Sequence, residues 1–247
     1  MQRYFIDEQF NDQNEVIITG ENAKHILKVM RMEIGESLIV VQNNTAYICK
    51  IVSVGQNVIV KQTGETIPSP EMPVQVTIAC GLPKGDKLDL ITQKGTELGM
   101  HALIPFAAER SIVKWDDKKG EKKTERLQKI AKEAAEQSHR TQIPEIMSPI
   151  SFKQLLSIIP NYDAVFIADE EDAKQEIRTR FADKLKKVYD NESKSILLIF
   201  GPEGGISRNE AKSLIEAGSE TMSLGPRILR AETAPLYALS AISYEFE

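Results

Sequence analysis

Two stretches of the sequence carry residue types suited to holding a ligand and acting on it. The first is Gly201-Pro202-Glu203-Gly204-Gly205, which matches neither the GxGxxG nor the GxxxxGK[ST] fingerprint of phosphate-binding loops. Glu203 would also repel an anionic phosphate. We therefore predict that this loop approaches a ligand that is not strongly anionic, and that its amides and carbonyls read the edge of a base.

The second stretch runs from Leu224 to Pro235 and sets Arg227, Arg230 and Glu232 among Gly-Pro and apolar residues. This is poor helix or strand sequence, so something other than local propensity selects it. Both stretches also have a purely structural interpretation. The glycine loop can be a strand-to-helix turn with Ser207 as N-cap and Glu210 completing a capping box, and residues 224–235 can simply lead into a C-terminal helix.

Charge is unevenly distributed along the chain. The net charge is -5, which argues against coating nucleic acid by bulk positive charge. Residues 110–140, however, hold ten Lys or Arg against six Asp or Glu, a local +4 that leaves the remainder at -9. A few placed cations can bind phosphate whatever the total charge, but a solvated helix face would have the same composition.

Composition excludes several classes of protein. With 41% hydrophobic and 27% charged residues, the chain is typical of a folded soluble protein. The two cysteines and three histidines show no metal-binding spacing, so we predict no metal site. No apolar run approaches 18 residues and charge follows the first residues closely, so we expect no membrane span, no signal peptide and a cytoplasmic location.

The elements that must position these residues fall into two parts. In residues 1–70, apolar runs at 15–19, 37–41, 45–54 and 57–61 predict strands, and Asn43-Asn44 suits a tight hairpin. Residues 23–30 predict one helix with a shared apolar face formed by Ala23, Ile26, Leu27 and Met30. We predict a compact β-barrel with one helix, followed by a linker at Pro68, Pro70 and Pro73.

Beyond the linker, strands alternate with helices. Strands are predicted at 74–79, 102–106, 163–168 and 195–200, and helices at 84–98, 122–138, 174–189 and 235–246. This alternation predicts a parallel sheet covered by helices. Ligands of such sheets bind beyond the carboxyl ends of the strands, which is where the glycine loop follows strand 195–200.

The two stretches together closely resemble the signature of the SPOUT superfamily of methyltransferases, and more narrowly that of the RsmE family, which methylates N3 of a uridine in 16S ribosomal RNA. Further matches occur in the family's order along nearly the whole chain. They are Gly81-Leu82-Pro83-Lys84-Gly85-Asp86-Lys87, Gln93-Lys94-Gly95-Thr96-Glu97-Leu98-Gly99, Glu109-Arg110-Ser111 and Glu136-Gln137-Ser138-His139-Arg140.

The resemblance implies an α/β fold of the SPOUT class, a parallel sheet with flanking helices and a C-terminal trefoil knot, over residues 73–247. It also implies a PUA-like β-barrel over residues 1–70 that recognises RNA. S-adenosyl-L-methionine is the implied cofactor. The residues carried over to its site are Phe200, Gly201, Pro202, Glu203, Gly204, Gly205, Leu224, Gly225, Ile228, Leu229, Arg230, Thr233 and Ala234.

The implied reaction requires N3 of uracil to lose its proton, so cations and a carboxylate near the base are candidates for catalysis. We assign catalytic roles to Arg140, Arg230 and Glu232, and an ion pair that only organises the knot is an equal alternative for each. The resemblance further implies 16S ribosomal RNA, in the small subunit, as partner, and a homodimer. The expected RNA contacts are Arg3, Lys24, Lys28, Arg31 and Arg110.

Three other functions are weighed against this hypothesis. A non-catalytic RNA-binding protein would need the barrel but not the paired loops. A nucleotide-dependent oxidoreductase would need a pyrophosphate fingerprint after its first strand, where the chain instead has Gly81-Leu82-Pro83-Lys84-Gly85. A SPOUT 2'-O-ribose or transfer-RNA methyltransferase remains the serious alternative, because the donor pocket is shared within the superfamily.

Overall fold

The computed structural model describes residues 1–169 and 180–246, and the chain divides into two compact units. The first consists of Met1–Glu71 and Ala135–Gln142, the second of Met72–Ala134 and Ile143–Glu247. The chain passes from one unit to the other after Glu71, among the prolines of the expected linker. The segment Ala135–Gln142, which our domain boundaries assign to the second domain, groups with the first unit.

The first unit is built on a five-stranded sheet in the order β1-β3-β4-β5-β2. Its strands are β1 (Arg3–Phe5), β2 (Glu15–Ile18), β3 (Ser37–Gln42), β4 (Thr45–Val54) and β5 (Val58–Ile67). All neighbours are antiparallel except β1 and β3. Asn43 and Asn44 join β3 to β4 with φ angles of 49° and 60°, the left-handed geometry of a two-residue hairpin, as predicted.

The helix of the first unit differs from the prediction in its second half. It is α-helical over α1 (Gly20–Lys24) and continues as a π-helix over His25–Met30. Ala23 and Ile26 are buried as predicted, but Met30 is 38% exposed. The i→i+5 turn of a π-helix is wider than an α-turn, so it rotates the last residues away from the face that an α-helical period predicts.

The second unit contains a seven-stranded sheet whose strand pairs are all parallel in the described residues. The sheet order is β12-β10-β11-β6-β7-β8, and β9 also pairs with β7. The strands are β6 (Gln75–Gly81), β7 (Ala102–Ala107), β8 (Glu145–Ile146), β9 (Ile150–Ser151), β10 (Ala164–Ala168), β11 (Ser195–Phe200) and β12 (Glu220–Met222). The predicted helix-covered parallel sheet is confirmed.

Six helices flank the sheet in the described residues: α2 (Lys87–Glu97), α3 (Asp117–Gln137), α4 (Phe152–Ile158), α5 (Phe181–Asp190), α6 (Arg208–Glu216) and α7 (Thr233–Phe246). Of the helix predicted at 174–189, residues 174–179 lie outside the described part of the chain. Ile91 of α2 and Leu239 and Ile242 of α7 are fully buried in one core cluster with alternate residues of the central strands. No helix in the described residues is long and apolar enough to span a membrane.

Four parallel strands end side by side at one edge of this sheet. Phe200 pairs with Cys80 across β11 and β6, and Ala168 pairs with Met222 across β10 and β12. The segments that leave these strands therefore start close together, at the edge where open α/β sheets bind their ligands.

Candidate active site

The glycine loop between β11 and α6 folds tightly on itself. The amide of Gly205 donates to the carbonyl of Pro202 at 2.8 Å, and Gly205 has a φ angle of +68°. A Cβ atom at Gly201 would lie 2.5 Å from the carbonyl carbon of Gly205 and 2.6 Å from the nitrogen of Ile206. The loop's own backbone therefore requires glycine at position 201.

The predicted capping box at the start of α6 is confirmed, and it extends to a second segment. The Ser207 hydroxyl accepts from the Glu210 amide at 3.2 Å, and the Glu210 carboxylate accepts from the Ser207 amide at 3.0 Å. The same carboxylate accepts from the Glu109 amide at 2.8 Å, and the Ser207 hydroxyl donates to the Glu109 carboxylate. These bonds fix the segment after β7 against the end of the glycine loop.

A cavity of about 390 Å³ lies at this edge of the sheet, within the size range of small-molecule sites. Eleven of the thirteen residues predicted for the cofactor line it: Phe200, Gly201, Pro202, Glu203, Gly205, Leu224, Gly225, Ile228, Leu229, Arg230 and Ala234. Gly204 and Thr233 are not among its lining residues. The structure thus brings the two stretches singled out in the sequence into one pocket.

Gly204 faces an arginine instead of the cavity. A Cβ atom there would lie 3.1 Å from Cβ of Arg110, and the Gly204 carbonyl accepts from the Arg110 guanidinium at 2.9 Å. Arg110, expected as an RNA contact, is exposed and lines the cavity. It therefore stands where the pocket meets solvent.

A lysine that sequence reasoning passed over joins the two stretches. Lys87 Nζ lies 2.9 Å from Glu203 Oε1 and 3.2 Å from Glu232 Oε2, and the Lys84 amide donates to Glu203 at 3.0 Å. A hydrogen bond to Glu203 raises the pKa of Lys87. Burial acts to raise the pKa of Glu203, but the hydrogen bonds from Lys87 and Lys84 outweigh it and the pKa is lowered. The motif around Lys87 was visible in the sequence, but its partners more than one hundred residues away were not.

Glu232 is less suited to accepting a proton than its position suggested. The pKa of Glu232 is lowered, first by a hydrogen bond from its own amide and then by Lys87 against the opposing effect of burial. A lower pKa makes a carboxylate a weaker base.

Other charged residues also line the cavity. The side chains of Arg227 and Arg230 are exposed there, and the buried carboxylate of Asp169 contacts Arg208 at 2.6 Å on another wall. Asp169 and Arg208 gave no motif in the sequence.

Two arginines of the first unit, predicted as a catalytic residue and as an RNA contact, are buried and bonded within that unit. Arg140 is 5% exposed and its guanidinium pairs with the Glu71 carboxylate, which also accepts from the amides of Thr141 and Gln142. Arg3 is 4% exposed and donates to the carbonyls of His139 and Arg140. Both guanidinium groups therefore help to hold the first unit together, and the catalytic role of Arg140 and the RNA contact of Arg3 stay predictions.

The other three basic residues expected to contact RNA lie on the surface of the first unit. Lys24, Lys28 and Arg31 are all exposed, and Lys24 pairs with Glu21 at 2.7 Å. In the described residues, no group of three or more His, Cys, Asp or Glu side chains could hold a metal ion.

Comparison with known proteins defines the class to which this fold and pocket belong. The model of an RNA methyltransferase domain matches residues 70–243, and that of an RNA methyltransferase PUA domain matches residues 18–61. The chain is 48% identical to ribosomal RNA small subunit methyltransferase E of Bacillus subtilis, over 100% of this chain and 98% of that protein. It is 31% identical to the protein of that name from Mesomycoplasma hyopneumoniae, over 97% and 98%.

A solved structure supports the same family. Ribosomal RNA small subunit methyltransferase E from Neisseria gonorrhoeae, bound to S-adenosyl methionine, matches with a TM-score of 0.85 and 27% identity, over 100% of this chain and 98% of that one. The chain belongs to the ribosomal RNA small subunit methyltransferase E family. The predicted fold, a SPOUT-class sheet with an N-terminal PUA-like unit, is confirmed.

Proposed function

We propose that this protein transfers a methyl group from S-adenosyl-L-methionine to N3 of a uridine in 16S ribosomal RNA, at a position of the U1498 type. The observation that carries the proposal is the cavity at the carboxyl edge of the sheet, walled by residues 200–206 and 224–234 of a chain in this family. The relatives' name supports the small-subunit RNA as substrate.

The residues of the cavity fit the proposed donor. Its walls offer loop backbone from the two stretches and a buried carboxylate at Asp169. The glycine loop is tight enough to exclude a side chain at Gly201, which keeps its backbone groups near the pocket. When bound, S-adenosyl-L-methionine supplies a methyl group carried on a positively charged sulfur. The eleven predicted residues that line the cavity would hold it there.

Charged side chains at the mouth of the cavity suit the proposed target atom. N3 of neutral uracil carries a proton, and nearby cations favour the deprotonated imide. Arg227 and Arg230 are exposed on the cavity wall and can stabilise that charge. Because hydrogen bonds from its own amide and from Lys87 lower the pKa of Glu232, we assign Glu232 a structural role. We attribute most of the rate that the arginines do not supply to the orientation of the methyl donor and the base.

We further propose a cytoplasmic homodimer in which the first unit contacts RNA. Exposed side chains Lys24, Lys28 and Arg31 supply the cations of that contact. Apolar side chains left on the surface of the second unit suit an interface between subunits, since Ile228 is 75% and Tyr244 90% exposed. Sedimentation of the full chain at micromolar concentration tests the dimer, and a monomer would contradict it.

The function is tested by methyl transfer. Small ribosomal subunits from a strain that lacks this gene are incubated with the protein and tritiated S-adenosyl-L-methionine, and the RNA is digested to nucleosides. Label in 3-methyluridine of 16S RNA is the expected result. Label on a ribose or in transfer RNA would overturn the target, and tight RNA binding without transfer would indicate a non-catalytic protein.

A further inference from the structure

The basic segment 110–140 separates, in the structure, into paired and unpaired cations. Arg126 pairs with Asp89, Lys129 lies 3.9 Å from Glu133, and Arg140 pairs with Glu71. These cations are matched by nearby carboxylates, so most of the second half of the segment needs no external anion.

The first half of the segment is different. Arg110, Lys114, Lys118, Lys119 and Lys122 are all exposed, and within residues 1–169 and 180–246 none of the five is in an ion pair. We call these five residues the basic track.

In the segment between β7 and α3, every second side chain from residue 110 onwards is exposed to solvent. Over residues 111–116 exposure alternates, with Val113 and Trp115 packed against the main core cluster and Ile112, Lys114 and Asp116 exposed. Alternation of this kind is the period of an extended chain, so one face of the segment is anchored and the other faces solvent. Arg110 lines the cavity, and Lys114 lies on the exposed face of the segment that connects it to α3.

Local stability does not explain lysines at the start of α3. The positive end of a helix dipole disfavours cations, yet Lys118 and Lys119 lie in its first turn, and Lys122 follows in the second. Asp116, which accepts from the Lys119 amide at 2.8 Å, provides the acidic cap expected at such an end. In the described residues no carboxylate pairs with these lysines, and departures from local preference are expected at functional sites.

We propose that the basic track binds the phosphate backbone of the substrate RNA next to the target uridine and leads it to the cavity. This inference rests on the proposed function, because the track begins at a wall of the proposed methyl-transfer cavity. Residues 110–122 hold five Lys or Arg against three Asp or Glu, a local charge of +2 on a chain whose total charge is -5, and this sign is complementary to RNA. Phosphate contacts of this kind position the substrate without reading its sequence.

The test compares two triple variants of the full chain. In the track variant, Lys118, Lys119 and Lys122 are replaced by Gln, and Arg110 is left intact because it lines the cavity. In the control variant, the exposed Lys153, Lys186 and Lys187 of the same unit are replaced by Gln. The Kd for small ribosomal subunits is measured between 50 and 200 mM salt, with KM for both substrates and kcat.

Loss of three contacts to single-stranded phosphates lowers the slope of log K against log salt by about 2. Over this range of salt, the Kd of the track variant should therefore change about 20-fold less than that of the wild type. KM for RNA should rise while KM for the donor and kcat at saturating RNA stay unchanged, and the control variant should behave as the wild type.

An unchanged salt slope in the track variant would overturn the proposal. So would a loss of affinity for intact subunits but not for naked 16S RNA, because the partner would then be a ribosomal protein. If the wild type transfers no methyl group, the proposed function fails, but the salt slope for RNA still decides whether the track binds phosphate.

Discussion

Removing Lys87 should separate the two segments that wall the cavity. Lys87→Met keeps most of the side chain's length and apolar contacts but removes the cation shared by Glu203 and Glu232. Lys84→Met is the matched control. The Lys84 side chain is exposed, and its backbone amide, which donates to Glu203, survives the substitution.

The magnitude follows from the geometry of the ion pairs. Both carboxylate oxygens contact one nitrogen, so they lie at most about 6 Å apart. Two like charges at that distance repel by about 2.8 kcal/mol at an effective dielectric constant of 20 and by about 0.7 kcal/mol in bulk water. If the two segments move apart to relieve this repulsion, donor binding must bring the two carboxylates together again, and this cost reduces the affinity for the donor. The Kd for S-adenosyl-L-methionine should then rise between about threefold and a hundredfold, nearer the lower end because the groups are partly exposed.

The pH dependence separates this effect from simple misfolding. The lowered pKa values of Glu203 and Glu232 stabilise the folded protein at pH values above 4.5, and this stabilisation is lost as the pH falls through the pKa of each group in the folded protein. The raised pKa of Lys87 stabilises the folded protein at pH values below 10.5, and this stabilisation is lost as the pH rises through the pKa of Lys87 in the folded protein. The triad of Lys87, Glu203 and Glu232 should therefore add no pH dependence to wild-type donor affinity between about pH 5 and 9. In Lys87→Met the two carboxylate pKa values should rise, so donor affinity should recover towards pH 5.

Isothermal titration calorimetry with S-adenosyl-L-methionine is the assay. Adding Glu232→Gln to Lys87→Met should restore most of the lost affinity, because one of the two repelling charges is gone. The reasoning is refuted if Lys87→Met binds the donor as tightly as Lys84→Met, or if its lost affinity is independent of pH and of Glu232→Gln.

Three further predictions concern the supports of the site and of the first unit. Gly201→Ala should weaken donor binding more than tenfold in calorimetry, since its Cβ would lie 2.5 Å from the Gly205 carbonyl carbon; unchanged affinity would contradict the tight loop. Ser207→Ala should lower the free energy of unfolding by about 1 kcal/mol, a Tm decrease of about 2–4 °C, whereas an unchanged Tm would mean that the cap is dispensable. Glu71→Gln should lower the free energy of unfolding in urea by about 1–3 kcal/mol, because a neutral amide replaces the carboxylate that accepts from Arg140 and from the Thr141 and Gln142 amides, and an unchanged value would contradict this role of the carboxylate.

Elements with a strong local pattern could be predicted from the sequence. Strand β11 occupies the predicted residues 195–200 because it is an uninterrupted apolar run buried in the middle of the sheet. The Asn43-Asn44 hairpin and the Ser207 capping box depend on residues only a few positions apart, and both are present. Strand β1, three residues long and paired in parallel with β3, leaves no such local pattern and was missed.

The burial of charged side chains was not predictable from the sequence, because it depends on distant partners. Arg3 and Arg140 are both buried, although arginine is seldom fully buried. Their commitments to backbone carbonyls and to Glu71 join residues about 70 to 140 positions apart. No spacing rule along the chain reports such a pairing.

The arrangement of the cavity is likewise a property of topology. Residues 224–232 form no helix and no strand, and nothing local places them beside the glycine loop. Ordinary connection rules would build an unknotted sheet, so the SPOUT fold followed from the resemblance alone. What holds this loop in the structure is long-range: β12 pairs with β10, α7 packs into the core beside α2, and Lys87 at the start of α2 reaches Glu232. Lys87 follows the first strand of this sheet along the chain, β6, and it contacts both the glycine loop and the last loop before α7. Substitution of Lys87 therefore tests how the two loops are held together, which substitution within either loop does not.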